Sequence, residues 1–175
     1  MLPYFYKLDT KIISTNLETL FTRIALDHID KFTEHIDDNG NPDGNSYLYH
    51  DDFQTIPEIK EIKKNCSLDF YVLLYMHKPN VTVVKHRDNP KYRKSNIIHP
   101  LMPQKDYSPT LFFKTFYDND FVTCNYENML PVILNLSHLH SVQNNSHYRI
   151  NLQFSFKEDF ETIVDLYKNK KLFIQ

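Results

Sequence analysis

Along the first third of the chain, Leu17, Leu20, Phe21, Ile24, Leu26, Ile29, Phe32 and Ile36 recur at helical spacing and fall largely on one stripe. Thr15 followed by Glu18 is a capping-box pair, so a helix is expected to start there and run towards Ile36. The segment Asp37–Ser46 is made of turn residues and is expected to end it. A second, shorter helix is expected from Ile56 to about Lys64, with Thr55 and Glu58 as its cap pair.

From Leu68 the pattern changes. Leu68–Met76, Asn80–His86, Thr110–Tyr117, Phe121–Asn125, Pro131–Leu136 and His147–Phe156 are rich in aromatic and β-branched residues, and polar turns separate them. The last run alternates almost strictly. Tyr148, Ile150, Leu152, Phe154 and Phe156 point one way, and Arg149, Asn151, Gln153 and Ser155 the other. A closing helix is expected over Asp159–Lys170, and two stretches, Asn89–Pro109 and Tyr117–Pro131, read as long connections. Helices first and strands afterwards predict a mainly β, α+β architecture, not alternating βαβ units. One domain is expected, with helical support over 1–66, a β core over 67–157 and a C-terminal helix over 158–175.

Composition narrows the function. With 20 basic and 22 acidic residues the net charge is about −2, so nucleic acid is not an expected partner. The chain has no apolar run long enough to span a membrane, and Met1–Asp9 does not read as a signal peptide. Two scattered cysteines, Cys66 and Cys124, make neither a disulfide framework nor a thiolate zinc site; a reducing cytosol is the expected home. Only two glycines are present, which excludes phosphate-cradling P-loops and dinucleotide folds.

Histidine and aspartate two apart on a strand share a face and can chelate a divalent metal. The pattern occurs four times: His28/Asp30, His35/Asp37, His50/Asp52 and His86/Asp88. The first two fall in the expected helix, where residues two apart diverge by roughly 200°. The third sits in a polar link. His86/Asp88 differs, because it closes the strand-like run Val81–His86 and enters a loop. The neighbouring basic run Lys85–Lys94 reads as a solvated loop. His77, His99 and His147 read as loop or surface residues, from their polar neighbours.

Further along, His138 and His140 lie two apart, and Arg149 follows nine residues after His140 on the polar face of the next strand. Two histidines, one carboxylate and open positions suit a non-haem Fe(II) oxygenase. Arginine suits a carboxylate-bearing co-substrate, gripped in a two-pronged geometry. The spacing to Arg149 favours His140 as the distal ligand, with His138 as the alternative.

Here the chain resembles a known family. His86-Arg-Asp88, about fifty residues, then His140-Ser-Val-Gln-Asn and Arg149 resemble the HxD…H…R pattern of Fe(II)- and 2-oxoglutarate-dependent oxygenases, in the manner of compact aspartyl/asparaginyl- or prolyl-hydroxylase-like members. The resemblance spans Leu68–Phe156 and implies a double-stranded β-helix (jelly-roll, cupin-like) core, buttressed by N-terminal helices and followed by a C-terminal helix. It implies Fe(II) on His86, Asp88 and His140, the 2-oxoglutarate carboxylate on Arg149, and O₂ as oxidant. A C–H bond of a protein or peptide residue, or of an amino acid, would be hydroxylated, with succinate and CO₂ as co-products. Asn151 stands where the family often carries Ser or Thr. Tyr75 and Asn144 are further candidates for the pocket wall, against plain core packing. The competing readings are a non-catalytic jelly-roll module and a cupin-like metalloenzyme that does not use 2-oxoglutarate.

Overall fold

A short strand, β1 (Phe5–Lys7), precedes the first apolar stripe, which folds as α1 (Thr15–Asp27); the computed structural model describes residues 4–36, 42–48, 51–101, 107–144 and 146–173. Leu17, Phe21 and Ala25, four apart, form the buried face of α1. Its cap is not the one the sequence suggests. Ser14 is the N-cap, its hydroxyl accepting from the Leu17 amide at 3.1 Å. The completing carboxylate is Glu58, which accepts from the Ser14 amide and hydroxyl at 2.7 Å each. Glu58 belongs to α2 (Pro57–Asn65), so one cap ties two helices together. Glu18 turns to Lys11 at 2.5 Å, and α2 starts on a proline without a side-chain cap.

The expected helix does not reach Ile36. α1 stops at Asp27, Ile29–Lys31 makes a single 3₁₀ turn, and Thr33–Ile36 is a strand, β2. It pairs with β3 (Pro42–Leu48), which occupies half of the segment read as turn. The backbone of β3 needs partners along its outer edge, and that ladder outweighs the local helical period. Ile36 is half exposed, so its place in the apolar stripe was coincidental.

The remaining strands are β4 (Tyr71–His77), β5 (Thr82–His86), β6 (Ser95–Leu101), β7 (Thr110–Phe113), β8 (Phe121–Cys124), β9 (Val132–Asn135), β10 (Leu139–Gln143) and β11 (Arg149–Phe156), and α3 (Phe160–Lys168) closes the chain. They form a seven-stranded sheet, β1-β9-β6-β11-β4-β3-β2, and a four-stranded sheet, β5-β10-β7-β8, with every pairing antiparallel. From β4 onward the chain passes back and forth between the two sheets. That is the winding of a double-stranded β-helix.

β6 corrects the sequence reading most. It runs through the stretch taken as a long connection, yet it is buried throughout and lies between β9 and β11. Its sequence, Ser-Asn-Ile-Ile-His-Pro-Leu, hides it: Pro100 has no N–H to give a ladder, and the polar residues break the alternation. Pro100 sits opposite Asn151, and His99 is buried on the helix side, not on the surface.

The outer face of the larger sheet carries the main core. Val72, Leu74 and Met76 of β4 and Ile150, Leu152, Phe154 and Phe156 of β11 pack under Phe21, Ile59, Phe160 and Ile163 of the helices. Each such side chain contributes about 1.5–3 kcal/mol by leaving water. Tyr148 precedes β11 and stays partly exposed. The face between the sheets is polar along β11, with Arg149, Asn151, Gln153 and Ser155 all buried there. Among the described residues no helix is long and apolar enough to cross a membrane.

Candidate metal centre

The site begins with a strand register. β5 and β10 are antiparallel, and their ladder places His140 directly opposite His86. The two rings lie 4.4 Å apart, centroid to centroid. Each is oriented by its own backbone: His86 Nδ1 lies 2.8 Å from the Val84 carbonyl and His140 Nδ1 2.9 Å from that of His138. A carbonyl oxygen only accepts, so Nδ1 carries the proton and the Nε2 lone pairs face the centre.

Asp88 completes the group. Its amide donates to the Leu136 carbonyl at 3.2 Å, pinning the loop after β5 to the end of β9. Its Oδ1 lies 3.4 Å from His86 Nε2 and 4.0 Å from His140 Nε2. One ligand atom from each of the three residues falls within 4.8 Å of the others. Burial, then the neighbouring His86, pulls the His140 pKa down to about 4, so the ring is a neutral base at pH 7. Burial alone would raise the Asp88 carboxyl, but Arg93 and the two histidines outweigh it and hold it well below the usual carboxylate range. Two imidazoles, each with Nδ1 held by a backbone carbonyl, and an ionised carboxylate, on one side of an open centre, fit a divalent transition metal of the Fe(II) kind.

The other His-x-Asp patterns do not assemble a centre among the described residues. His28 and Asp30 lie at the end of α1 and in the 3₁₀ turn. Asp37 and His50 lie outside the described residues. His138 is not on β10; it sits in the preceding turn, edge-on to Tyr4 at 4.8 Å, and is not in the three-residue group.

Arg149, the first residue of β11, is buried on the wall of the same cleft. It donates through Nε to the Ser108 carbonyl at 3.0 Å, through Nη1 to His77 Nδ1 at 2.9 Å, and through Nη2 to the hydroxyls of Thr110 and Tyr126 at 3.2 and 3.0 Å. The rings of Tyr107 and Tyr126 each lie 5.2 Å from its guanidinium carbon. Every one of these partners is neutral. With Nε and Nη2 already committed, a symmetric two-pronged grip is not on offer. An incoming carboxylate meets a mixed set: the second Nη1 proton and the hydroxyls around Nη2.

His77, read from sequence as a surface residue, is buried on β4 opposite Arg149. Its Nδ1 accepts from Arg149, so Nε2 holds the proton and donates to Asn45 Oδ1 at 2.6 Å. Burial first, then the Arg149 charge, keeps its pKa well below the usual histidine value. Tyr75 lies on the cleft wall, its hydroxyl accepting from Arg93 Nη1 at 3.0 Å. Asn151 is fully buried on the same face of β11. Asn144 is not brought to the cleft; its amide gives to the carbonyls of His77, Lys78 and His147 and accepts from the Ser108 hydroxyl, tying the β4 and β10 ends together. Arg93, Thr110 and Tyr126 were not legible. Arg93 is hidden in a run that reads as solvated charge, and Tyr126 in a stretch that reads as loop.

No family model matches this chain, and no curated protein does. Solved structures do. A prolyl hydroxylase from Trichoplax adhaerens, in complex with a hypoxia inducible factor peptide fragment, superposes with a TM-score of 0.62 over 91% of this chain and 86% of its own, at 11% identity. A Pseudomonas putida prolyl-4-hydroxylase gives 0.59 over 87% and 91%, also at 11% identity. The viral collagen prolyl hydroxylase of Paramecium Bursaria Chlorella virus-1, in its 2-oxoglutarate complex, gives 0.53 over 87% and 95%, at 14% identity. The fold is that of the Fe(II)/2-oxoglutarate oxygenases. At this identity the oxygenase fold places strands, not side chains, so the His86–Asp88–His140 group and Arg149 rest on this chain's own geometry.

Proposed function

We propose that the protein is an Fe(II)- and 2-oxoglutarate-dependent oxygenase that hydroxylates a C–H bond. His86, Asp88 and His140 would hold the iron, and Arg149, with Thr110 and Tyr126, the distal carboxylate of 2-oxoglutarate. The observation that carries this reading is a buried guanidinium whose partners among the described residues are all neutral, on the same cleft as the ligand group. A buried cation without an anion is costly, so the cleft selects an anionic ligand that reaches the metal from Arg149.

When bound, iron and 2-oxoglutarate supply the coupling of O₂ reduction to C–H hydroxylation, releasing succinate and CO₂. The protein's part is position and charge. His86 and His140 present lone pairs because backbone carbonyls hold their Nδ1 protons. His77 and the two tyrosine rings hold the Arg149 guanidinium still. The substrate class, a protein or peptide residue or an amino acid, is drawn from the prolyl hydroxylases of like fold. A reducing cytosol would keep the iron ferrous and suits the two free cysteines.

The test is an anaerobic titration of Fe(II) and then 2-oxoglutarate. Arg149→Ala is expected to bind Fe(II) like the wild type and to lose at least tenfold in 2-oxoglutarate affinity. Unchanged co-substrate affinity in that variant sinks the reading. Screening peptides and amino acids for succinate release that matches product formation then identifies the substrate.

A further inference from the structure

The two oxygens of Asp88 face different partners. Oδ1 faces the Nε2 atoms of His86 and His140, at 3.4 and 4.0 Å. Oδ2 lies 2.5 Å from Arg93 Nε. The same guanidinium donates through Nη1 to the Tyr75 hydroxyl at 3.0 Å, and its carbon lies 5.4 Å from the Tyr75 ring centre. The loop that brings Arg93 back beside Asp88 is itself tied. The Asn89 side chain accepts from the Lys91 amide at 3.0 Å, and its carbonyl accepts from the amides of Tyr92 and Arg93 at 3.0 and 3.3 Å. Arg93 is therefore fixed from its backbone to its far nitrogen.

We propose that Arg93 is a positioning residue that restricts Asp88 to binding metal through one oxygen. The inference rests on the reading of His86, Asp88 and His140 as an iron centre. A carboxylate can ligate through one oxygen or both. With one, the three protein ligands leave three positions of an octahedron: two for a chelating keto acid and one for O₂. With both, only two remain, and a chelating keto acid fills them. The charge-assisted bond from Arg93 Nε has to break before Oδ2 can turn to the metal, which keeps the third position open. The alternative is an ion pair that only stabilises the loop, in which case its loss leaves metal and co-substrate chemistry untouched.

The experiment compares wild type, Arg93→Met and Arg93→Lys as full-length proteins. Fe(II) is titrated anaerobically, then 2-oxoglutarate, following affinity and the visible charge-transfer band that appears when the keto acid chelates the iron. Circular dichroism melts of the metal-free proteins report stability separately. Arg93→Met is expected to change Fe(II) affinity by less than tenfold while 2-oxoglutarate affinity falls at least tenfold and the band shifts or fades. Arg93→Lys keeps the charge without the Nε–H, folds under the same loop restraints, and is expected to recover part of both. Fe(II) binding by the wild type, with both variants matching it in co-substrate affinity and band, overturns this inference alone. A wild type that binds no Fe(II) overturns the iron centre and this inference with it.

Discussion

At the scale of single residues, the cleft works by assigning protons. Backbone carbonyls take the Nδ1 protons of His86 and His140, and Asn45 takes the Nε2 proton of His77. Burial first, and then the Arg149 charge beside it, disfavour a proton on His77 Nδ1, which is why its pKa is depressed. The consequence for stability has a definite sign. Below its ordinary pKa of about 6.5 the unfolded chain binds a proton at this residue and the folded chain does not, so stability is lost as pH falls from there. His140 acts in the same direction, down to about 4. Urea midpoints of the metal-free protein are expected to fall between pH 7 and pH 5, and His77→Gln to flatten that slope. An identical slope in the variant would remove His77 from the account.

At the scale of elements, the two sheets are joined by close approaches that tolerate little change. Gly44 of β3 has φ +88°, and a Cβ there would lie 2.7 Å from Val81 Cγ1 and 3.0 Å from the Thr82 carbonyl oxygen, at the start of β5. The next residue, Asn45, holds His77, which holds Arg149. Gly44→Ala combines left-handed strain with a clash against the Val81 side chain and a tight approach to the Thr82 backbone, and is expected to cost about 1–3 kcal/mol in a urea titration. The β3 segment is where turn chemistry and strand pairing compete. Sequence favours a turn through Asp37–Ser46, and the glycine that looks like a turn residue permits a strand to approach another sheet.

At the scale of the molecule, the centre is assembled from distant parts of the chain. His86 and Asp88 come from β5 and the loop after it, His140 from β10, Arg149 from β11, and Tyr126 from the turn before β9. A ligand bridging these parts binds the folded state only, so it stabilises the whole fold. At about 100 times its dissociation constant the gain is roughly 2.7 kcal/mol, or on the order of 5–10 °C in melting temperature for a chain of this size. Mn(II), an inert stand-in for Fe(II), together with 2-oxoglutarate is expected to raise the calorimetric melting temperature by that amount, and Asp88→Ala to remove the rise. A wild-type melt indifferent to both ligands contradicts the site.

The sequence by itself determined residue chemistry and most strand periods. The alternation in β11 separated an apolar from a polar face; the structure puts the first under the helices and turns the second, with Arg149, inward. The candidate ligands His86, Asp88 and His140 were legible because a metal demands particular side chains at strand spacing. Only the tertiary structure decided what depends on residues far apart in the chain. β6 is a central strand because β9 and β11 supply its ladder, although Pro100 and its polar residues argue locally for a loop. Thr33–Ile36 is a strand because β3 has an edge to satisfy. His140 belongs to the three-residue group, and His138 does not, because the register of β10 on β5 sets one histidine opposite His86 and leaves the other in a turn. Arg93, His77 and Tyr126 reveal their partners only when the loops have closed, since hydrogen bonds between residues this distant leave no periodic trace in the sequence.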